Sequence, residues 1–164
     1  MKTVSPFELR DNPFDLLDRQ WMLISAGDEA RSNTMTASWG GFGVLWNKPV
    51  ATAYVRPTRF TYGLTEKFGR FSLAFLDEKY RPALKLCGRE SGRDMDKWLA
   101  AGLTPVAAEG TVYPAEARMV MICRKLYWFD IDPANMLDPS VDRFYKDDYH
   151  RAYIAEIEKV LVCE

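Results

Sequence analysis

Apolar positions along the chain fall mostly into short runs bounded by turn residues, the signature of strands rather than of long helices. Trp21–Ala26 is such a run, closed by Gly27-Asp28, and Asn33–Trp39 reads as a second strand that partners it. Val50–Val55 is rich in small and β-branched residues and ends at Arg56-Pro57, where proline removes a ladder donor. The period then changes. Phe60, Leu64 and Phe68 recur at i, i+4 and i+8, which predicts a helix with Thr58 as its N-cap and Gly69 at its stop. Phe71–Leu76 is the next predicted strand. Tyr80–Leu86 and Asp94–Ala101 read as helices separated by the Gly88–Gly92 loop, the second closed by Gly102 and Pro105. Arg118–Asp130 is a long apolar and aromatic strand, while Tyr153–Val162 reads as strand or helix from the spacing of Ile154, Ile157 and Val160. With a short helical turn around Phe14–Asp18, this makes about six strands and two or three inserted helices. Sequential strands that avoid open edges predict a mainly β, closed or nearly closed antiparallel barrel.

Composition narrows the function classes. A chain of 164 residues, 48% hydrophobic and 13% aromatic, suits one compact domain, assigned to residues 1–164 without internal repeat or linker. Lys+Arg 22 against Asp+Glu 23 gives a formal net charge of -1, so no overall field favours nucleic acid or an anionic membrane, and any anion site must be local. Val120–Cys123 and Leu126–Phe129 are too short to span a bilayer, and Met1–Pro6 lacks the apolar core of a secretory signal; a soluble, cytoplasmic protein is expected. Cys87, Cys123 and Cys163 are widely spaced and odd in number, which predicts reduced thiols and no zinc ribbon. His150 is the only histidine and no Gly-x-Ser-x-Gly elbow accompanies it, which argues against triad hydrolysis. No acidic pattern at ligand spacing points to a metal.

Three blocks carry candidate chemistry. Asn33-Thr34-Met35-Thr36-Ala37-Ser38-Trp39, continuing through Gly40–Gly43, combines an amide, hydroxyls, small residues and one indole, a mix that suits a flat polar ligand: backbone can approach closely, hydroxyls can meet ring heteroatoms, and Trp39 offers a stacking wall. Gly-Gly and Ser/Thr clusters also mark ordinary turns. Arg56-Pro57-Thr58-Arg59-Phe60-Thr61 brings two guanidinium groups and two hydroxyls to a helix N-terminus, a combination that holds phosphate. A capped helix with solvated arginines is the alternative, although positive charge at that end of a helix is unfavourable without an anion. Ser91, Gly92 and Lys97 offer a hydroxyl, a bare amide and a point charge at a turn; the competing reading is a surface loop. Cys87 is read as structural, and His150 as a proton donor, a ligand-edge contact or a hydrogen-bonded surface group.

Taken together, Asn33–Gly41, Lys48-Pro-Val, Val55–Thr61, Phe71–Phe75, Cys87–Lys97 and Asp148–Ile154 resemble the flavin reductase-like family of FMN-binding split barrels, which includes flavoredoxin, over about Trp21–Ile157. The resemblance implies a six-stranded split barrel with flanking helices that forms a homodimer and binds FMN non-covalently near the subunit interface. It implies that Asn33–Trp39 line the isoalloxazine ring and that Arg56, Pro57, Thr58, Arg59, Thr61, Ser91, Gly92 and Lys97 serve the ribityl chain and phosphate. NADH or NADPH would act as a transient reductant and a flavin or small molecule as acceptor, the alternative being an electron carrier reduced by a redox partner protein without NADH or NADPH activity of its own; the chemistry would reside mostly in the cofactor, with no side-chain acid or base identified. No Gly-x-Gly-x-x-Gly fingerprint is present, so a nicotinamide would dock without a Rossmann domain. Ala155 stands where family members commonly have glycine, a mild change expected to touch only the packing of the last strand.

Overall fold

Period-two alternation sorts the sheet residues onto two faces, and along the strand Met22–Gly27 both faces are buried. The computed structural model describes residues 1–163. It contains strands β1 (Lys2–Val4), β2 (Met22–Gly27), β3 (Ser32–Ala37), β4 (Gly40–Leu45), β5 (Lys48–Val55), β6 (Arg70–Phe75), β7 (Pro105–Ala108), β8 (Thr111–Pro114), β9 (Met119–Asp130) and β10 (Arg151–Val162). The helices are α1 (Phe60–Lys67), α2 (Arg81–Arg89) and α3 (Lys97–Ala101). An antiparallel sheet runs β3-β2-β6-β9-β10-β5-β4, with β1 added to β10, and β7-β8 form a separate hairpin. Met22, Ile24 and Ala26 of β2 face the barrel interior beside Phe71, Leu73, Phe75, Met121 and Tyr153. Leu23, on the opposite face, packs in a second core with Leu84 and Cys87 of α2, Trp98 of α3 and Val112 of β8. Because β2 is covered on both sides, its sequence is a continuous apolar run.

The architecture is the expected mainly β antiparallel barrel, and it is split: β3 and β4 are the two ends of the strand order although only Ser38 and Trp39 separate them in sequence. Several elements depart from the sequence reading. The described residues hold ten strands rather than about six; β4 follows from Gly40–Leu45 pairing with β5, and β1, β7 and β8 are short additions. The N-cap of α1 is Arg59, not Thr58, and it makes no side-chain cap bond. The second predicted helix starts at Lys97 rather than Asp94, where Asp96 caps the free amides of Trp98 and Leu99. Tyr153–Val162 is strand, not helix: Tyr153, Ala155 and Ile157 point inward at a spacing of two, and a register irregularity between Ile157 and Lys159 resets the next inward residue to Val160. The methyl of Ala155 is fully buried in the barrel, opposite Ala51.

Candidate functional site

The split leaves one side of β3 without a strand partner. Thr34 pairs with Ser25 of β2, yet its carbonyl accepts from the ammonium of Lys97, so its peptide group faces away from β2. With a period of two, the peptide groups of Thr36 face away as well and present an N–H and a C=O to the space beyond the sheet edge. The side chains here are mostly committed to the fold. Thr34 Oγ1 meets Ser25 Oγ at 2.9 Å, Thr36 Oγ1 donates to the carbonyl of Leu84 at 2.6 Å, and Asn33 Nδ2 donates to Thr61 Oγ1 at 2.8 Å. Backbone rather than hydroxyls is thus what Thr34 and Thr36 can offer a flat ligand.

The cations converge at the C-terminal end of α2. Arg59 donates to the carbonyls of Gly88 (2.7 Å) and Cys87 (3.0 Å), and Lys97 Nζ donates to the same Cys87 carbonyl (2.9 Å) and to Thr34 (3.0 Å). The partially negative end of α2 therefore offsets the positive charge that the start of α1 does not favour. Lys97 is 2% exposed, and burial, reinforced by Arg59, lowers its pKa from 10.5 to about 8. Burial also lowers that of Arg59. The neighbouring Cys87 thiol is pushed up by burial despite both cations, which keeps it protonated and supports a structural role. Two of the three N–H groups of Lys97 are used, leaving one donor for a ligand.

Met35–Trp39, Tyr54, Arg56, Arg59 and His150 enclose a hollow of about 210 Å³. Its rim is closed by the β9–β10 connection. Arg56 donates to Asp148 (2.5 Å) and to the carbonyl of Phe144 (2.7 Å), and its guanidinium lies 5.2 Å from the ring centre of Tyr145. Trp39 packs edge-on against Phe144 at 5.5 Å and beside His150 at 5.3 Å. The two 3-10 turns of this strap, Pro133–Asn135 and Pro139–Phe144, contain no buried residue. The strap is therefore held largely through its contacts at the rim. His150 Nδ1 lies 3.1 Å from the hydroxyl of Tyr145. Burial, then Arg56, lowers the His150 pKa to about 4, so the ring is neutral near pH 7. The Tyr145 hydroxyl, whose pKa burial raises, engages Nδ1 and can donate to it or accept from it according to the ring's tautomer.

The sequence-predicted residues divide between two places. Met35–Trp39, Arg56 and Arg59 share this hollow, whereas Asn33, Gly92 and Lys97 line a second, larger one of about 580 Å³ together with Phe60, Arg31 and Arg93. Arg59 and Lys97 meet at the Cys87 carbonyl. Thr34, Pro57, Thr58, Thr61 and Ser91 line neither hollow; Thr58 offers its carbonyl to Arg93, and the Ser91 hydroxyl accepts from the Arg93 amide. Gly92 is required where it stands, since a Cβ there would lie 2.5 Å from Asn33 Oδ1 and 2.6 Å from the Phe60 ring. Tyr54 and Asp148 escaped the sequence reading: Tyr54 sat in an ordinary strand pattern, and Asp148 is 92 positions from the arginine it holds. Among the described residues no group of three or more His, Cys, Asp or Glu side chains could hold a metal, and no helix is long and apolar enough to cross a membrane.

Residues 14–164 match the family model described as the flavin reductase like domain. No curated protein sequence matches the chain. Among solved structures, flavoredoxin of Desulfovibrio vulgaris (Miyazaki F) is similar at a TM-score of 0.70 and 23% identity, over 100% of this chain and 78% of that one. Flavoredoxin from Methanosarcina acetivorans is similar at 0.69 and 20% identity, over 88% of this chain and 69% of the other. The NADH:FAD oxidoreductase of Streptomyces globisporus C-1027 is similar at 0.65 and 14% identity, over 88% of this chain and 75% of the other. At these identities the structural likeness establishes the fold.

Proposed function

This chain belongs to the flavin reductase like domain family, and on that premise we propose that it is a flavin-dependent oxidoreductase that holds FMN without a covalent bond and passes reducing equivalents from NADH or NADPH to a flavin or another small acceptor. The observation that carries this reading is the unpaired edge of β3 lying beside two cations: Lys97 bonds that edge at Thr34 and shares the Cys87 carbonyl with Arg59. A ring system with alternating acceptors and an N–H along one edge needs such a strand edge, and a phosphate needs the cations. Bound FMN supplies the two-electron chemistry. The Thr36–Ser38 backbone would meet the ring's polar edge, Trp39 would cover part of one face, and Arg59 with the remaining donor of Lys97 would hold the phosphate. Backbone dipoles fixed by the sheet would stabilise charge on a reduced ring without reorganising. His150 lines the hollow as a neutral ring above its pKa of about 4 and so adds no positive charge there.

A homodimer belongs to the same proposal. The helices pack on the β2–β3 side, whereas the outer face of β5, β10 and β9 presents Thr52, Tyr54, Ile154, Tyr127 and Phe129, with Trp46 at its edge. Tyr127 and Trp46 are each more than half exposed, 54% and 56%, and an exposed aromatic row of this kind marks an interaction surface. A second copy would cover it. A cytoplasmic location is in keeping with three free thiols.

The test is the visible spectrum of the purified protein reconstituted with FMN, followed by anaerobic NADH and then NADPH. Flavin bands that bleach support the reductase. Bands that persist with both but bleach with a reduced protein donor turn the assignment to a flavoredoxin-like electron carrier, and no bands after reconstitution remove the flavin assignment.

A further inference from the structure

The segment that bounds the Arg56 hollow also bounds another. Thr36, Ala37 and Ser38 line a second depression of about 360 Å³ together with Trp21, Lys85, Gly88 and Arg89. The two hollows adjoin along the same three residues, so a molecule whose reactive part lies against Thr36–Ser38 has its remainder within reach of α2. Helix and strand approach closely here because Gly88 has no side chain; a Cβ there would lie 3.4 Å from that of Thr36, and the Thr36 hydroxyl is bonded to Leu84 one turn earlier. Lys85 and Arg89 are four residues apart and so stand on one face of α2.

Both cations have unused capacity. Of the basic residues of α2, Arg81 pairs with Glu78 and Arg89 with Glu90, which leaves Lys85 without an ion pair among the described residues. Arg89 uses only its Nε for Glu90, at 2.6 Å, leaving its terminal amino groups uncommitted. No acidic side chain lines this hollow. With the whole chain near neutrality, the positive pair is a local feature rather than background charge. Cations in the last turn of a helix would also complement its dipole, but that role needs no cavity in front of them.

Trp21 completes the hollow at some energetic cost. Its φ is +65°, the left-handed region that a bulky residue enters at about 1–3 kcal/mol. It is held there by its indole N–H donating to Asp18 at 3.0 Å and by Arg81 stacked 4.4 Å from the ring centre. The result is a fixed aromatic wall beside the unpaired Lys85 and the uncommitted amino groups of Arg89.

Resting on the reductase reading above, we propose that Trp21, Lys85 and Arg89 form the subsite that docks the diphosphate of the pyridine nucleotide reductant while its nicotinamide lies against the flavin held at Thr36–Ser38. This would replace the phosphate-binding loop of a Rossmann domain, whose glycine fingerprint the chain lacks. The cofactor's own phosphate is assigned elsewhere, to Arg59 and Lys97.

The test uses the FMN-loaded protein, its Lys85→Gln/Arg89→Gln variant and the charge-conserving Lys85→Arg/Arg89→Lys variant. The anaerobic bleaching rate is followed against the concentration of NADH, of NADPH and of N-benzyl-1,4-dihydronicotinamide, which carries the nicotinamide without phosphates. Expected for the Gln variant is a rise in apparent KM for NADH and NADPH on the order of tenfold to a hundredfold, from lost charge-assisted bonds. The benzyl reductant and the Kd for FMN should be unaffected, and the charge-conserving variant should recover most of the loss. Equal effects on all three reductants, no effect on any, or a loss confined to FMN affinity would overturn the subsite. If the unmodified protein is bleached by the benzyl reductant but by neither dinucleotide, the reductase reading itself falls and this inference with it.

Discussion

Lys97 makes the cofactor assignment testable by pH alone. Its ammonium has a pKa of about 8 in the ligand-free fold, set by burial and by Arg59, with Cys87 and Glu90 acting in the opposite direction. If the phosphate takes the remaining donor, binding favours the charged form and raises that pKa, so FMN affinity must fall as pH rises through 8. For binding only to the ammonium form, the apparent Kd scales as one plus ten to the power of pH minus 8: close to its limit at pH 7 and roughly tenfold weaker at pH 9, about 1.4 kcal/mol. The shifted groups nearest the site move away from pH 8. His150 titrates near 4, the pKa values of Cys87, Tyr62 and Tyr145 are all raised, and an FMN phosphate completes its second ionisation near pH 6. The assay is quenching of FMN fluorescence from pH 6.5 to 9.5, with proton uptake read at pH 8.5 by calorimetry in buffers of different ionisation enthalpy. Lys97→Met should weaken binding at pH 7 and flatten the profile. A Kd unchanged between pH 7 and 9, or an unaltered slope in a folded Lys97→Met protein, would refute the placement of the phosphate at Lys97. The same shift has a consequence for the ligand-free protein. Between about pH 8 and 10.5 the unfolded chain keeps the Lys97 proton that the folded chain has lost, so this residue's contribution makes stability increase with pH across that window.

Three further predictions follow from single contacts. Asp148→Asn removes the charged partner of Arg56 and should loosen the strap, costing about 1 kcal/mol or less because the pair is partly exposed, and speeding proteolytic cleavage within residues 131–149 while the barrel stays intact. Gly92→Ala forces a methyl against Asn33 and Phe60 and should destabilise by about 1–3 kcal/mol in urea melts; a variant as stable as the parent would mean that the loop yields freely. Trp46→Asp combined with Tyr127→Asp puts charge on the exposed aromatic row and should convert a dimer to a monomer by light scattering, with the near-ultraviolet spectrum showing an intact fold.

How far the sequence could be read depends on what each residue faces. The β2, β5, β6 and β9 strands were legible almost to their ends because both the apolar runs and their terminators are local signals. The strand β4 was not, since Gly41 and Gly43 contribute no side chain to a period and only pairing with β5 makes the segment a strand. The helical spacing of Ile157 and Val160 in β10 comes from a bulge, a property of two strands that neither sequence carries by itself. The N-cap of α1 is Arg59 rather than Thr58, and its side chain, instead of capping the helix, bonds the end of α2 at a residue 29 positions away.

The sequence by itself determined the class of fold, the position of the ligand-suited segment and the presence of a local cationic group, because strand runs, turn residues and charge are written residue by residue. Only the tertiary structure decided which groups meet. It spent the hydroxyls of Thr34 and Thr36 on the fold and left the outward backbone of β3 without a strand partner. It placed Arg59 and Lys97 on the Cys87 carbonyl, and it gave Arg56 to Asp148. Hydrogen-bond and ion-pair energies depend on separation through space, which falls off within a few ångströms, and separation along the chain sets no such distance.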